Sequence, residues 1–84
     1  MYFVYLLENN NKRWYIGYTP DSAENRLFKH NGGEVQSTKS FIPYKLIYYE
    51  AYLKRKDATG RETFLKSGSG DKFLKKQLKN YLTK

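Results

Sequence analysis

Eighty-four residues with a formal net charge of +8 leave room for one domain over residues 1–84 and one modest core. The absence of cysteine excludes disulfides, thiolate metal sites and cysteine nucleophiles. No apolar run is long enough to span a bilayer, and the N-terminus enters a strand-like segment with no basic leader, so a cytoplasmic protein without a membrane role is expected.

In chain order, Tyr2–Glu8 ("YFVYLLE") is apolar on both alternating sets, the pattern of a central strand covered on both faces. Asn9–Lys12 reads as a turn, asparagine being a residue that tolerates left-handed geometry. Arg13–Thr19 ("RWYIGYT") is the returning strand, with Trp14, Ile16 and Tyr18 on one face and Tyr15, Gly17 and Thr19 on the other. Thr19-Pro20-Asp21 reads as the cap and first turn of a helix that stops at Asn31-Gly32-Gly33. A polar loop over residues 33–43 leads to a third strand, "YKLIYYEAYL" (residues 44–53). A second helix follows over residues 54–67, with Gly60 a helix-weakening residue inside it. A third helix, capped by Ser69 or Asp71, runs to residue 82. The predicted class is α+β in the order ββαβαα: a three-stranded antiparallel sheet flanked by helices.

Both of the first two helices aim ionisable groups at the sheet. Arg26 and His30 lie on or beside the row of Ala23 and Leu27, and Glu62 sits between Ala58 and Leu65. Buried charge costs several kcal/mol unless it is paired or used. An internal Arg26–Glu62 salt bridge is one reading. The other is a site, because Tyr5 and Tyr15 stand on neighbouring strands and Gly17 leaves a hollow beside Tyr15. Arginine stabilises charge on phosphate oxygens, and a lone carboxylate is a ligand type that Mg²⁺ or Mn²⁺ accepts, with water in the remaining positions. Tyr15 or His30 is then the candidate proton acceptor. A free tyrosine with a pKa near 10 needs a cation nearby for that role.

"FVY" (Phe3–Tyr5), "YIG" (Tyr15–Gly17), "RLFKH" (Arg26–His30) and "RETFLKSG" (Arg61–Gly68), in this order and across nearly the whole chain, resemble the GIY-YIG nuclease superfamily. The resemblance is to its small stand-alone bacterial branch and to the nuclease domain of the bacterial excision-repair endonuclease. It implies metal-dependent hydrolysis of a DNA strand by water attack, with Mg²⁺ or Mn²⁺ as cofactor and no covalent enzyme intermediate. Tyr5 and Tyr15 would be the paired tyrosines, Arg26 the phosphate contact, His30 a contact to phosphate or nucleophile, and Glu62 the metal ligand. Of the first triplet only the tyrosine is kept, and Tyr18 stands where several active relatives have lysine.

Charge is unevenly placed: residues 1–44 hold five basic against four acidic side chains, and residues 45–84 hold eleven against four. Lys72, Lys75, Lys76 and Lys79 form one stripe of the last helix, opposite Phe73, Leu74, Leu78 and Tyr81. With Lys54, Arg55, Lys56 and Lys39 they are the candidate DNA contacts, RNA being left open. A solvated lysine face is the plain alternative, and "QSTKS" (residues 36–40) reads first as an ordinary loop. Two functions follow. One is a DNA endonuclease, with a partner protein as one source of its specificity. The other is a nucleic-acid-binding module that keeps the fold without useful catalysis.

Overall fold

The computed structural model describes residues 1–83, in the order β1 (Tyr2–Asn9), β2 (Trp14–Thr19), α1 (Ala23–Asn31), a 3₁₀ turn (Lys39–Phe41), β3 (Tyr44–Tyr52), α2 (Arg55–Leu65), α3 (Gly68–Gln77) and α4 (Lys79–Leu82). The sheet is antiparallel throughout, ordered β2-β1-β3, which puts the doubly apolar β1 in the centre as its pattern requires. Val4 to Leu7 are all at most 1% exposed, so β1 is covered on both faces.

The alternation of β1 divides the core in two. On one face Val4 and Leu6 meet Ala58 and Leu65 of α2 and Leu74 of α3, with Trp14, Ile16 and Tyr18 around them. On the other, Tyr5 and Leu7 meet Ala23 and Leu27 of α1, with Tyr15, Tyr44 and Leu46. Full burial of each leucine contributes roughly 1.5–3 kcal/mol, and α2–α3 and α1 are held to opposite sides of the sheet.

The ββαβαα order is present, and four local expectations are corrected. Ser22, not Thr19, caps α1: its Oγ accepts from the Asn25 N–H at 3.1 Å. Thr19 is still paired with Phe3 in the ladder, and its Oγ1 accepts from the Asp21 N–H in the turn that precedes the helix. The left-handed residue of the β1–β2 turn is Lys12 (φ 65°). Asn9 instead spans that turn, its Oδ1 accepting from the N–H groups of Asn11 and Arg13. Ser67, rather than Ser69 or Asp71, caps α3 by accepting from the Gly70 N–H at 3.1 Å. Finally, the third helix breaks at Leu78 (φ −104°, ψ 23°). Beyond the break, Tyr81 donates to the buried Glu8 carboxylate, which also accepts from Trp14 Nε1, and this ties α4 to the hairpin.

The stop after α1 falls where expected. The Gly32 N–H bonds back to Phe28, and Gly33 takes the left-handed φ of 77° that glycine tolerates without strain. No helix among the described residues is long and apolar enough to cross a membrane.

Candidate active site

Tyr5 lies at the centre of the sheet, with Gly17 of β2 as its cross-strand partner and only 1% of its surface exposed. Its ring leans over Gly17. A Cβ on that glycine would stand 2.3 Å from Tyr5 Oη, 2.4 Å from Cζ and 3.0 Å from a ring carbon of Tyr15. Gly17 is bare because the phenol fills the place of its side chain.

Two residues of α1 meet that phenol. His30 Nε2 is 2.9 Å from Tyr5 Oη, and Arg26 Nε donates to the same oxygen at 3.4 Å. The four-residue spacing of Arg26 and His30 puts both above Tyr5 because α1 is anchored on the sheet through Ala23. The imidazole is fully buried, its ring 4.8 Å from Tyr15, 5.7 Å from Tyr5 and 6.5 Å from Tyr44. Its other nitrogen, Nδ1, is 2.7 Å from Thr38 Oγ1. Burial, then the neighbouring Arg26 charge, pull the His30 pKa down to about 4. Burial pushes the Tyr5 phenol up to about 12, with Tyr15 and Glu62 adding to the rise and Arg26 opposing it. At neutral pH the pair is an intact phenol against a neutral imidazole.

Glu62 comes from α2, in the opposite layer. β2 is an edge strand, and the Glu62 charge is the weakest of the influences on the Tyr5 phenol. The Arg26–Glu62 salt bridge does not form: Arg26 engages Tyr5, and Glu62 pairs with Lys66 one helical turn on, at 2.9 Å. Tyr15 is half-buried, and its hydroxyl takes no hydrogen bond among the described residues.

No group of three or more His, Cys, Asp or Glu among the described residues could hold a metal ion. Both nitrogens of His30 are already engaged. The donor set therefore suits a hard cation that accepts one carboxylate and keeps water and substrate oxygens as its other ligands. It does not suit zinc, which needs three or four protein ligands.

The basic candidates are dispersed. Lys39 is exposed on the 3₁₀ turn beside Thr38, and Lys54, Arg55 and Lys56 are exposed at the start of α2, the helix that carries Glu62. Lys72, Lys75, Lys76 and Lys79 are exposed on α3 and α4, with Lys75 paired to Asp71 at 2.9 Å. Those last four belong to the α2–α3 layer, away from the His30 side of Tyr5.

Two features escaped the sequence reading. Thr38 is fully buried against His30, not displayed on a polar loop. Glu50 is the centre of a second polar cluster, accepting from Tyr48, Tyr52 and both Nε and Nη2 of Arg61. The alternation Tyr48, Glu50, Tyr52 was a usable signal, since a period of two puts all three on one face.

A family profile described as the GIY-YIG catalytic domain matches residues 1–77. The chain belongs to the GIY-YIG family. A UPF0213 protein of Haloquadratum walsbyi is 36% identical over 72 residues, covering 84% of this chain and 80% of that protein. One from Staphylococcus epidermidis is 35% identical over 75 residues, covering 88% and 90%. One from Streptococcus pneumoniae serotype 4 is 37% identical over 65 residues, covering 76% of this chain and 65% of the streptococcal protein. No solved structure matches. The GIY-YIG family is a nuclease family, so its substrate class is nucleic acid, and Tyr5, Tyr15 and Gly17 are the parts of the two motif triplets that meet over the sheet.

Proposed function

We propose that this GIY-YIG domain is a DNA endonuclease that uses Mg²⁺ or Mn²⁺ to hydrolyse a phosphodiester bond by water attack. The observation that carries this reading is the Tyr5 hydroxyl, held over a bare glycine by Arg26 and His30. An ordinary hairpin core has no use for such an arrangement.

Each residue has a part that its surroundings support. Arg26 spends its Nε on Tyr5 and keeps its terminal nitrogens for the oxygens of the scissile phosphate. Tyr5 keeps its own proton at neutral pH and orients the attacking water through its oxygen. Tyr15, half-buried and with an unoccupied hydroxyl, is the group that takes the proton from that water. His30 sits beneath both tyrosines and positions them. Glu62 holds the divalent cation, which when bound supplies positive charge to the phosphate and lowers the pKa of neighbouring oxygen acids. Lys39, Lys54, Arg55 and Lys56 contact the flanking backbone, and the lysines of α3 and α4 add non-specific attraction to a polyanion.

The test is cleavage of end-labelled single-stranded, duplex, flap and branched DNA with Mg²⁺, Mn²⁺ or EDTA, comparing the native chain with Glu62→Ala and Tyr15→Phe. Metal-dependent cutting lost in both variants supports the nuclease. Cutting that survives Glu62→Ala, or no cutting on any substrate, overturns it and leaves a nucleic-acid-binding module.

A further inference from the structure

We infer that Thr38 is a positioning residue that fixes the His30 ring in one tautomer, with its proton on Nδ1, and so directs the Tyr5 hydroxyl hydrogen inward to Nε2. Four polar contacts form an unbroken chain from α1, through the sheet, to the loop after the helix. Arg26 Nε is 3.4 Å from Tyr5 Oη, Tyr5 Oη is 2.9 Å from His30 Nε2, His30 Nδ1 is 2.7 Å from Thr38 Oγ1, and Thr38 Oγ1 is 3.3 Å from the Val35 carbonyl oxygen. The ends of the chain decide its direction. A guanidinium only donates and a carbonyl only accepts. The neutral imidazole and the two hydroxyls between them each have one proton to give. Only one assignment makes every contact a hydrogen bond: Arg26 to Tyr5, Tyr5 to His30 Nε2, His30 Nδ1–H to Thr38, and Thr38 to Val35.

Among the described residues nothing else near the ring offers to do this. His30 is boxed by Tyr5, Tyr15 and Tyr44 and has no solvent exposure, so Thr38 is the polar partner at Nδ1. Thr38 is itself wholly buried, and its backbone N–H also bonds to Val35. Loop residues are usually solvated, and burying a threonine on a ring nitrogen is the opposite of what a plain connector needs. The consequence falls on the buried Tyr5 oxygen. With its hydrogen turned inward and one lone pair taken by Arg26, the Tyr5 oxygen keeps one lone pair as an acceptor for a water admitted with the substrate. With the other tautomer it would receive His30 Nε2–H, and its own hydrogen would point at the water instead.

The effect on cleavage rests on the nuclease reading, whereas the tautomer does not, and the experiment separates them. His30 is the one histidine of the chain, so a long-range ¹H–¹⁵N spectrum of the uniformly labelled full chain at pH 7 reports it without assignment. The native chain and Thr38→Ser should show the Nδ1–H pattern, and Thr38→Val, which keeps the shape and loses the acceptor, should shift towards Nε2–H. In the cleavage assay Thr38→Val should lower kcat roughly ten- to a hundredfold with KM unchanged, and Thr38→Ser should restore it. An Nε2–H native ring, or a Thr38→Val ring that keeps Nδ1–H, overturns the inference. So does kcat loss that Thr38→Ser fails to restore. If Thr38→Val does not fold, the tautomer of the native chain and of Thr38→Ser decides alone. A native chain that shows the Nδ1–H ring and cuts no DNA would sink the nuclease reading and leave this inference standing.

Discussion

The two faces of the sheet each hold a polar cluster built on tyrosine, half-buried on one and buried on the other, and they are wired in opposite ways. On the α2–α3 face the centre is a carboxylate. Glu50 receives two phenols and a two-pronged arginine, so all its acceptor capacity is used inside the protein. Burial alone would raise the Glu50 carboxyl, but hydrogen bonds from Arg61, Tyr48 and Tyr52 hold it below its ordinary range. On the α1 face the centre is a phenol, and no carboxylate among the described residues enters the cluster. The nearby acid, Glu62, pairs among the described residues with a surface lysine alone. A cluster that saturates its charge is a clamp. The Tyr5 cluster instead leaves the terminal nitrogens of Arg26 and the Tyr15 hydroxyl without a side-chain partner among the described residues.

The largest expected effect comes from breaking the clamp. Glu50→Ala strands Arg61 against Phe64 and Phe73 and leaves two phenols without an acceptor. For this half-buried pair the loss should be about 2–3 kcal/mol, visible as a fall in Tm of roughly 10 °C. Glu62→Ala, on the same helix, should leave Tm nearly unchanged. A Glu62→Ala chain that melts as early as Glu50→Ala would show that the two carboxylates do the same structural work and erase the contrast.

How much of this contrast was legible beforehand depended on range. Tyr5 facing Tyr15 and Gly17 was readable because a hairpin with period-two alternation leaves few registers. Arg26 and His30 were readable because residues four apart share a helix face, and Glu62 because it interrupts an apolar row. Thr38 was not, since it reaches His30 from an irregular loop in which no period relates one residue to the next. Arg61 was hidden for a different reason. It lies one residue from Glu62, and only the packing of α2 against β3 turns it towards Glu50. The caps went astray where two candidates stood close together. Thr19 and Ser22 are equally good cap residues, and it is the ladder pairing of Thr19 with Phe3 that leaves Ser22 to start the helix.

Next in size is overfilling the hollow. Gly17→Ala puts a methyl where the Tyr5 hydroxyl now lies, so the phenol must leave His30 and Arg26 or the strands must part. We expect a loss of roughly 1–3 kcal/mol in stability together with loss of cleavage, and a crystal structure showing Tyr5 displaced. Full activity in Gly17→Ala would mean that the Tyr5 position is immaterial. Acid should strain the same cluster through His30. The unfolded chain takes up the histidine proton near pH 6.5 and the folded chain only near 4. Between those values unfolding binds a proton, so the His30 contribution is complete above pH 6.5 and falls as pH drops towards 4. Denaturant midpoints from pH 7 to 4, beside a histidine titration by NMR, check this. A folded-state pKa of 6.5 would remove the argument that the ring is held neutral.

The smallest effect has the opposite sign and completes the comparison with a second glycine. Gly60 lies in the middle of α2, exposed, and a Cβ there would meet no atom within 4 Å. The helix runs through it unbroken, so its helical geometry already suits alanine. Gly60→Ala should therefore stabilise the fold by about 0.5–1 kcal/mol, because the unfolded chain loses freedom that the folded chain never used. Glu62 stands two residues on, and its position is set by Ala58 and Leu65 packing on the sheet and by the Arg61–Glu50 clamp. Stiffening a helix already held at three points should leave kcat and KM unchanged while Tm rises by a few degrees. If cleavage instead falls as Tm rises, Glu62 must move during turnover, and α2 would be a working part of the site instead of a fixed support.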